Sequence, residues 1–222
     1  MKDIQTKIAL FPMPVLVVAA YDENNKINAM TAAWGTISAE DKIILFLDEK
    51  HKTTQNIRAS KAFTVSIADK AHLAEADFFG IVTGNKMNDK FERSGCHATK
   101  SEHVNAPIIE DFPVVMECEL AEIVETENLH AIIGKIVNAQ ADEKVLVKRG
   151  ANKGQVNPFK IKALVFDQFQ NNYYGVGRKI GKAWHEGAII NFEVNEIDDS
   201  LNEYLQSELD NGESEKIKIT NE

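Results

Sequence analysis

The chain has 222 residues, a formal net charge of −9, 44% hydrophobic and 27% charged residues. These proportions exclude a disordered or coiled-coil chain and allow one large folded core. The negative charge excludes nonspecific nucleic-acid binding, which needs a basic footprint, and two cysteines, Cys96 and Cys118, are too few for a secreted disulfide scaffold, so a reducing cytoplasm is expected.

Residues 1–7 lack the apolar core of a signal peptide, and the longest apolar run, 12–21, falls short of the ~20 residues of a membrane-spanning helix. No membrane partner is expected. Residues 14–21 are continuous and β-branched, which predicts a strand, and 22–26 supply a polar turn. The returning strand is expected over 27–38, with Met30, Ala32 and Trp34 on one face and Ala29, Thr31 and Ala33 on the other. A third strand at 42–47 runs into the polar loop 48–52, after which Thr53 or Thr54 could cap a short helix. A fourth strand covers 61–67, and helical stretches follow at 71–79 and 86–93, punctuated by Gly84 and Gly95. Strands at 114–124, 129–139 and 161–169 complete a mainly β fold with peripheral helices, enough to close a small barrel. Residues 1–187 are read as one domain and 188–222 as an acidic C-terminal appendage with a helix at 200–209.

Two stretches could carry chemistry. Asn28 to Trp34 offers small residues against which a flat ring could lie, with Asn28 and Thr31 as polar handles, although close packing alone explains such a strand too. Lys50, His51, Lys52, Thr53 and Thr54 gather cations and hydroxyls at a helix start, the donor set that binds phosphate; the competing reading is a solvated, capped loop. The glycines from Gly175 to Gly181 have GxGxxxG spacing, which fits no dinucleotide turn, so a tight turn after a strand is expected. Cys96, His97 and His103 match no zinc pattern, and no metal is assigned.

Taken in order, Pro14-Val15-Leu16-Val17, the Asn28–Trp34 strand, Lys52-Thr53-Thr54-Gln55-Asn56-Ile57, Gly84 with Asp89-Lys90-Phe91, His130 with Gly134, and Tyr173-Tyr174-Gly175 resemble the flavin reductase-like FMN-binding split-barrel family, flavoredoxins included. The resemblance implies a split β-barrel holding FMN. By it, Asn28, Met30, Thr31, Ala32, Ala33 and Trp34 would edge the isoalloxazine, and Lys50, His51, Lys52, Thr53 and Thr54 would bind the ribityl phosphate. Lys90 would add a second basic group there, and His130 would lie near the exposed flavin face where a nicotinamide could stack. The implied activity is hydride transfer from NADH or NADPH to FMN and onward to another flavin or acceptor. A carrier of electrons without NAD(P)H oxidation is the alternative. No side chain needs to act as acid or base in hydride transfer, so none is named as catalytic. The family resemblance also implies a homodimer.

Overall fold

The structure, a computed structural model, describes residues 1–4, 10–184 and 186–187. Strand β1 (Met13–Pro14) leads into β2 (Leu16–Tyr21), which is buried on both faces. Leu16, Val18 and Ala20 enter one apolar cluster, Val17 and Ala19 another. Two-sided burial is why this stretch reads as a continuous apolar run and not as an alternation. Asp22 Oδ1 accepts from the backbone N–H groups of Asn24 and Lys26, both at 2.8 Å, and reverses the chain. Strand β3 (Ile27–Ala32) therefore returns antiparallel, with Ala29 opposite Ala19.

The single strand expected over 27–38 is two strands. β3 stops at Ala32, and β4 (Gly35–Ala39) starts three residues later at the opposite edge of a seven-stranded sheet, ordered β3-β2-β6-β9-β10-β5-β4. Three peptide units reach at most ~11 Å. The two edges must therefore come together, so chain continuity alone curls the sheet into a barrel. Gly35 permits the crossing: a Cβ there would stand 2.7 Å from Leu45 Cδ2 and 3.1 Å from Leu16 Cδ1. The remaining strands are β5 (Lys42–Leu45), β6 (Ala62–Ile67), β9 (Val114–Thr126) and β10 (Leu129–Ala141). Ile43, Leu45, Phe63, Val65, Cys118 and Ile132 fill the barrel, and Ile57 of helix α1 (Lys52–Ser60) joins them.

Between β6 and β9 the chain leaves the barrel through α2 (Leu73–Ile81), α3 (Lys90–Ser94), β7 (Ala98–Lys100) and β8 (Pro107–Ile109). The second helix is a single short turn and not the run expected over 86–93. Ala76, Phe79, Phe91 and Ile109 pack on Val17 and Ala29, covering the outer face of β2 and β3. A small sheet, β1-β11-β12, is built with β11 (Leu164–Asp167) and β12 (Asn172–Gly175). The strand expected to begin at 161 begins at Leu164, because Pro158 opens a short helix α4 (Pro158–Ile161) that Asn157 caps, its Oδ1 accepting from the Phe159 N–H at 3.0 Å. No turn follows β12; residues 176–182 carry no regular structure.

A first compact unit ends at Arg178, and a second begins at Lys179. In the second, the Lys182 N–H donates to Glu186 Oε1 at 2.8 Å; the appendage expected over 188–222 lies outside the described residues. No helix among the described residues is long and apolar enough to cross a membrane.

Candidate functional site

The first turn of α1 is where the two stretches singled out in the sequence meet. His51 occupies the N-cap with extended backbone and makes no side-chain capping bond. Neither Thr53 nor Thr54 is the cap; both lie inside the helix and are buried. Thr53 Oγ1 is engaged instead by β3, accepting from Asn28 Nδ2 at 2.5 Å. Gly84 presses on this pair: a Cβ there would lie 2.2 Å from Asn28 Oδ1 and 3.2 Å from Lys52 Cβ. Asn85 Nδ2 donates to the Lys50 carbonyl at 2.7 Å and fastens the 80–85 segment over the helix start.

These contacts enclose a cleft of about 170 Å³ lined by Asn28, Met30, His51, Lys52, Thr53 and Lys90 and walled by residues 80–84. Lys90 is 3% exposed. Its Nζ donates to the Phe79 carbonyl at 2.8 Å and lies 5.9 Å from the Phe79 ring centroid. Phe91 stacks on the same ring at 6.2 Å, which holds α3, and Lys90 with it, against α2. Burial pushes the Lys90 ammonium down to about 8. Lys52 has Glu23 at 3.7 Å, whereas no carboxylate among the described residues reaches ion-pair distance of Lys90. Thr54 Oγ1 and Asn56 Nδ2 in α1 are also buried without partners. A buried, unneutralised ammonium that shares a cleft with an uncapped helix N-terminus is a set of donors short of acceptors, and such a set fits an anion.

A second cleft of about 250 Å³ continues along β3 and shares Gly80 and Ile81 with the first. It is lined by Val15, Thr31, Ala33, Phe166, Asp77 and Tyr173. Thr31 Oγ1 donates to the Ala76 carbonyl, tying β3 to α2. The Tyr173 hydroxyl donates to Asp77 Oδ1 at 2.9 Å. Burial, with Asp77 beside it, pushes the Tyr173 phenol up to about 12. β3 is an edge strand, so every second backbone N–H and C=O along it points away from β2.

Six of the sequence-predicted residues thus share the first cleft, and Thr31 and Ala33 share the second. The others stand elsewhere. Ala32 faces the barrel interior. Trp34 lies beyond the end of β3, 51% exposed, its Nε1 donating to Gln168 Oε1 at 3.4 Å. Lys50 is exposed and contributes its carbonyl, not its ammonium. His130 is not brought to either cleft. It sits opposite Glu125 in the β9–β10 hairpin, with Nδ1 3.9 Å from Glu125 Oε1. Ligand atoms of Glu49, Glu125 and His130 lie within 4.8 Å of one another, and Arg58 pairs with Glu125. Sequence reasoning missed Asp77 and, apart from Gly84, the 80–84 wall; Gly80 and Gly84 bracketing Ile-Val-Thr were the available signal for the latter.

Residues 8–157 match the flavin reductase like domain, and the chain belongs to that family. Its fold is the split barrel of FMN-binding domains. The chain is similar to the flavoredoxin of Desulfovibrio vulgaris (Miyazaki F), at 30% identity and a TM-score of 0.77, over 84% of this chain and 99% of that one. The flavoredoxin from Methanosarcina acetivorans shares the fold at 23% identity and a TM-score of 0.76, over 86% and 98% of the two chains. An uncharacterised protein of Aeropyrum pernix is 25% identical over 128 residues, 57% of this chain and 48% of that protein, so the match spans about half the relative's length.

Proposed function

We propose that the chain binds FMN with its phosphate in the Lys90 cleft and works as an oxidoreductase, taking a hydride from NADH or NADPH onto the flavin and passing electrons to another flavin or acceptor. The observation that carries this reading is Lys90 itself, a buried ammonium with one carbonyl for a partner, lining one cleft with an uncapped helix start. A phosphate would supply the missing negative charge, and the N–H groups of Lys52 and Thr53 would donate to it. The cradle is closely built, since any side chain at Gly84 would displace Asn28.

Bound FMN supplies the chemistry of accepting a hydride and releasing its electrons. The protein's share is placement. Asn28, fixed by Thr53, stands where β3 meets the helix, and the outward N–H and C=O groups of β3 offer hydrogen bonds to the polar edge of a flat ring. Ala33, with Val15 and Phe166 beside it, offers it an apolar surface. Trp34 at 51% and Ile37 at 54% exposure leave apolar surface where β3 gives way to β4, which supports a homodimer as its cover. His130 and Lys50 would then act from positions that a second copy completes. The free thiols of Cys96 and Cys118, both raised chiefly by burial, accord with a reducing cytoplasm.

The net charge of −9 and the 30% identity to a flavoredoxin favour a second reading, an FMN electron carrier that docks on a basic redox partner. Anaerobic mixing of the FMN-loaded protein with NADH or NADPH separates the two. Bleaching of the flavin within a catalytic timescale supports the reductase; bleaching by dithionite alone supports the carrier.

A further inference from the structure

We propose that the Asp77–Tyr173 pair forms the far wall of the FMN site and lowers the reduction potential of the bound flavin, with the ring system in the second cleft and the phosphate in the first. The proposal rests on the FMN reading above. Neither cleft suffices alone: about 170 and about 250 Å³ both fall below the roughly 300–1,000 Å³ of pockets that enclose a small organic ligand. They meet at Gly80 and Ile81 and follow one strand, from Asn28 and Met30 to Thr31 and Ala33. Their chemistry also differs from end to end. The first holds donors and cations; the second has apolar walls from Val15, Ala33, Ile81 and Phe166, with Asp77 as its one charged lining residue. A ligand with a phosphate at one end and fused rings at the other matches that gradient.

The ring system carries an imide N–H, and Asp77 has an oxygen to receive it. Tyr173 occupies Oδ1, and no hydrogen bond from a described residue engages Oδ2. Two-electron reduction of the bound flavin would take two electrons from the reductant and one proton from solvent, so the ring would gain one unit of negative charge. A carboxylate held against it would oppose that gain of charge. Tyr173 holds the carboxylate in place from β12, opposite Phe166 on β11. A purely mechanical role is the competing account, because the same hydrogen bond fastens α2 to the small sheet. Such a fastening would change stability and leave the potential alone.

The test is spectroelectrochemical titration of the FMN-loaded protein and its Asp77→Asn and Tyr173→Phe variants, with dissociation constants for oxidised FMN alongside. Asparagine keeps the acceptor for Tyr173 and removes the charge. At a fixed potential the ratio of reduced to oxidised flavin should rise about tenfold in Asp77→Asn, about 30 mV for a two-electron couple. Tyr173→Phe, which leaves the carboxylate free to turn toward water, should shift the potential in the same direction by less. Wild-type potentials in both variants, with FMN still bound, would overturn the role of the pair and leave the cofactor reading standing. Failure of the wild-type protein to bind FMN would overturn both.

Discussion

Lys90 and Glu117 are both buried charges, 3% and 0% exposed, and the protein treats them in opposite ways. Glu117 on β9 receives hydrogen bonds from Ser101 Oγ, from Asn138 Nδ2 at 2.5 Å and from Gln140 Nε2 at 2.7 Å. Burial pushes its carboxyl up, but these three donors, with His103 nearby, outweigh burial and hold it below the usual range. Ser101 Oγ in turn accepts from the N–H groups of His103 and Val104 at 3.0 and 2.9 Å, so the carboxylate fastens the excursion between β6 and β9 to the long hairpin. Lys90 has the Phe79 carbonyl and no counter-charge among the described residues. A buried charge whose partners are all supplied by the chain is scaffold. One left short of partners marks where a ligand completes the structure.

Replacing Glu117 with Ala strands three donors and should cost ~3 kcal/mol or more of folding stability, measured by urea denaturation, while the FMN affinity of the folded fraction stays within about twofold on the same reasoning. Lys90→Met should do the reverse. Removing an unpaired buried ammonium should leave stability within ~1 kcal/mol of wild type or raise it, and the dissociation constant for FMN should rise about 30-fold, or ~2 kcal/mol. Large destabilisation by Lys90→Met would make Lys90 scaffold after all.

The pH dependence follows from the depressed Lys90 pKa. With the folded value near 8 and the unfolded one near the usual 10.4, the unfolded chain binds more protons between those values, so this group's penalty is fully present below pH 8 and is relieved as pH rises toward ~10.4. FMN affinity should move oppositely. The anion needs the ammonium, so binding should weaken above pH 8, by up to ~tenfold per unit, ~1.4 kcal/mol, and Lys90→Met should flatten that profile in a fluorescence titration. The smallest effect is expected from Gly84→Ala. Asn28 must shift to admit the methyl group, at ~1 kcal/mol of stability and a several-fold loss of FMN affinity.

The features legible in the sequence were those with local signatures. The apolar run of β2, the turn at Asp22 and the cluster of lysines and threonines at α1 each report their structure within a few residues. The break at Ala33–Trp34 was not legible, because its cause is a close approach between Gly35, Leu16 and Leu45 across the barrel. Thr53 reads locally as a helix cap; its engagement with Asn28, 25 residues away, exists only once the barrel closes. The same holds for Asp77 and Tyr173, 96 residues apart. Glu117 did leave a trace, a carboxylate inside the apolar stretch Val-Val-Met-Glu-Cys, but its three donors come from β10 and from the loop before Val104.

Whether the Lys90 cleft takes a phosphate is decided by titration of the cofactor-free protein with FMN and with riboflavin. The two ligands share the ring system and differ in the phosphate. FMN should bind at least 100-fold more tightly, the ~3 kcal/mol of charge-assisted hydrogen bonds to a buried ammonium and a helix start. Equal affinities, or no binding of either ligand, would rule out a phosphate site at Lys90.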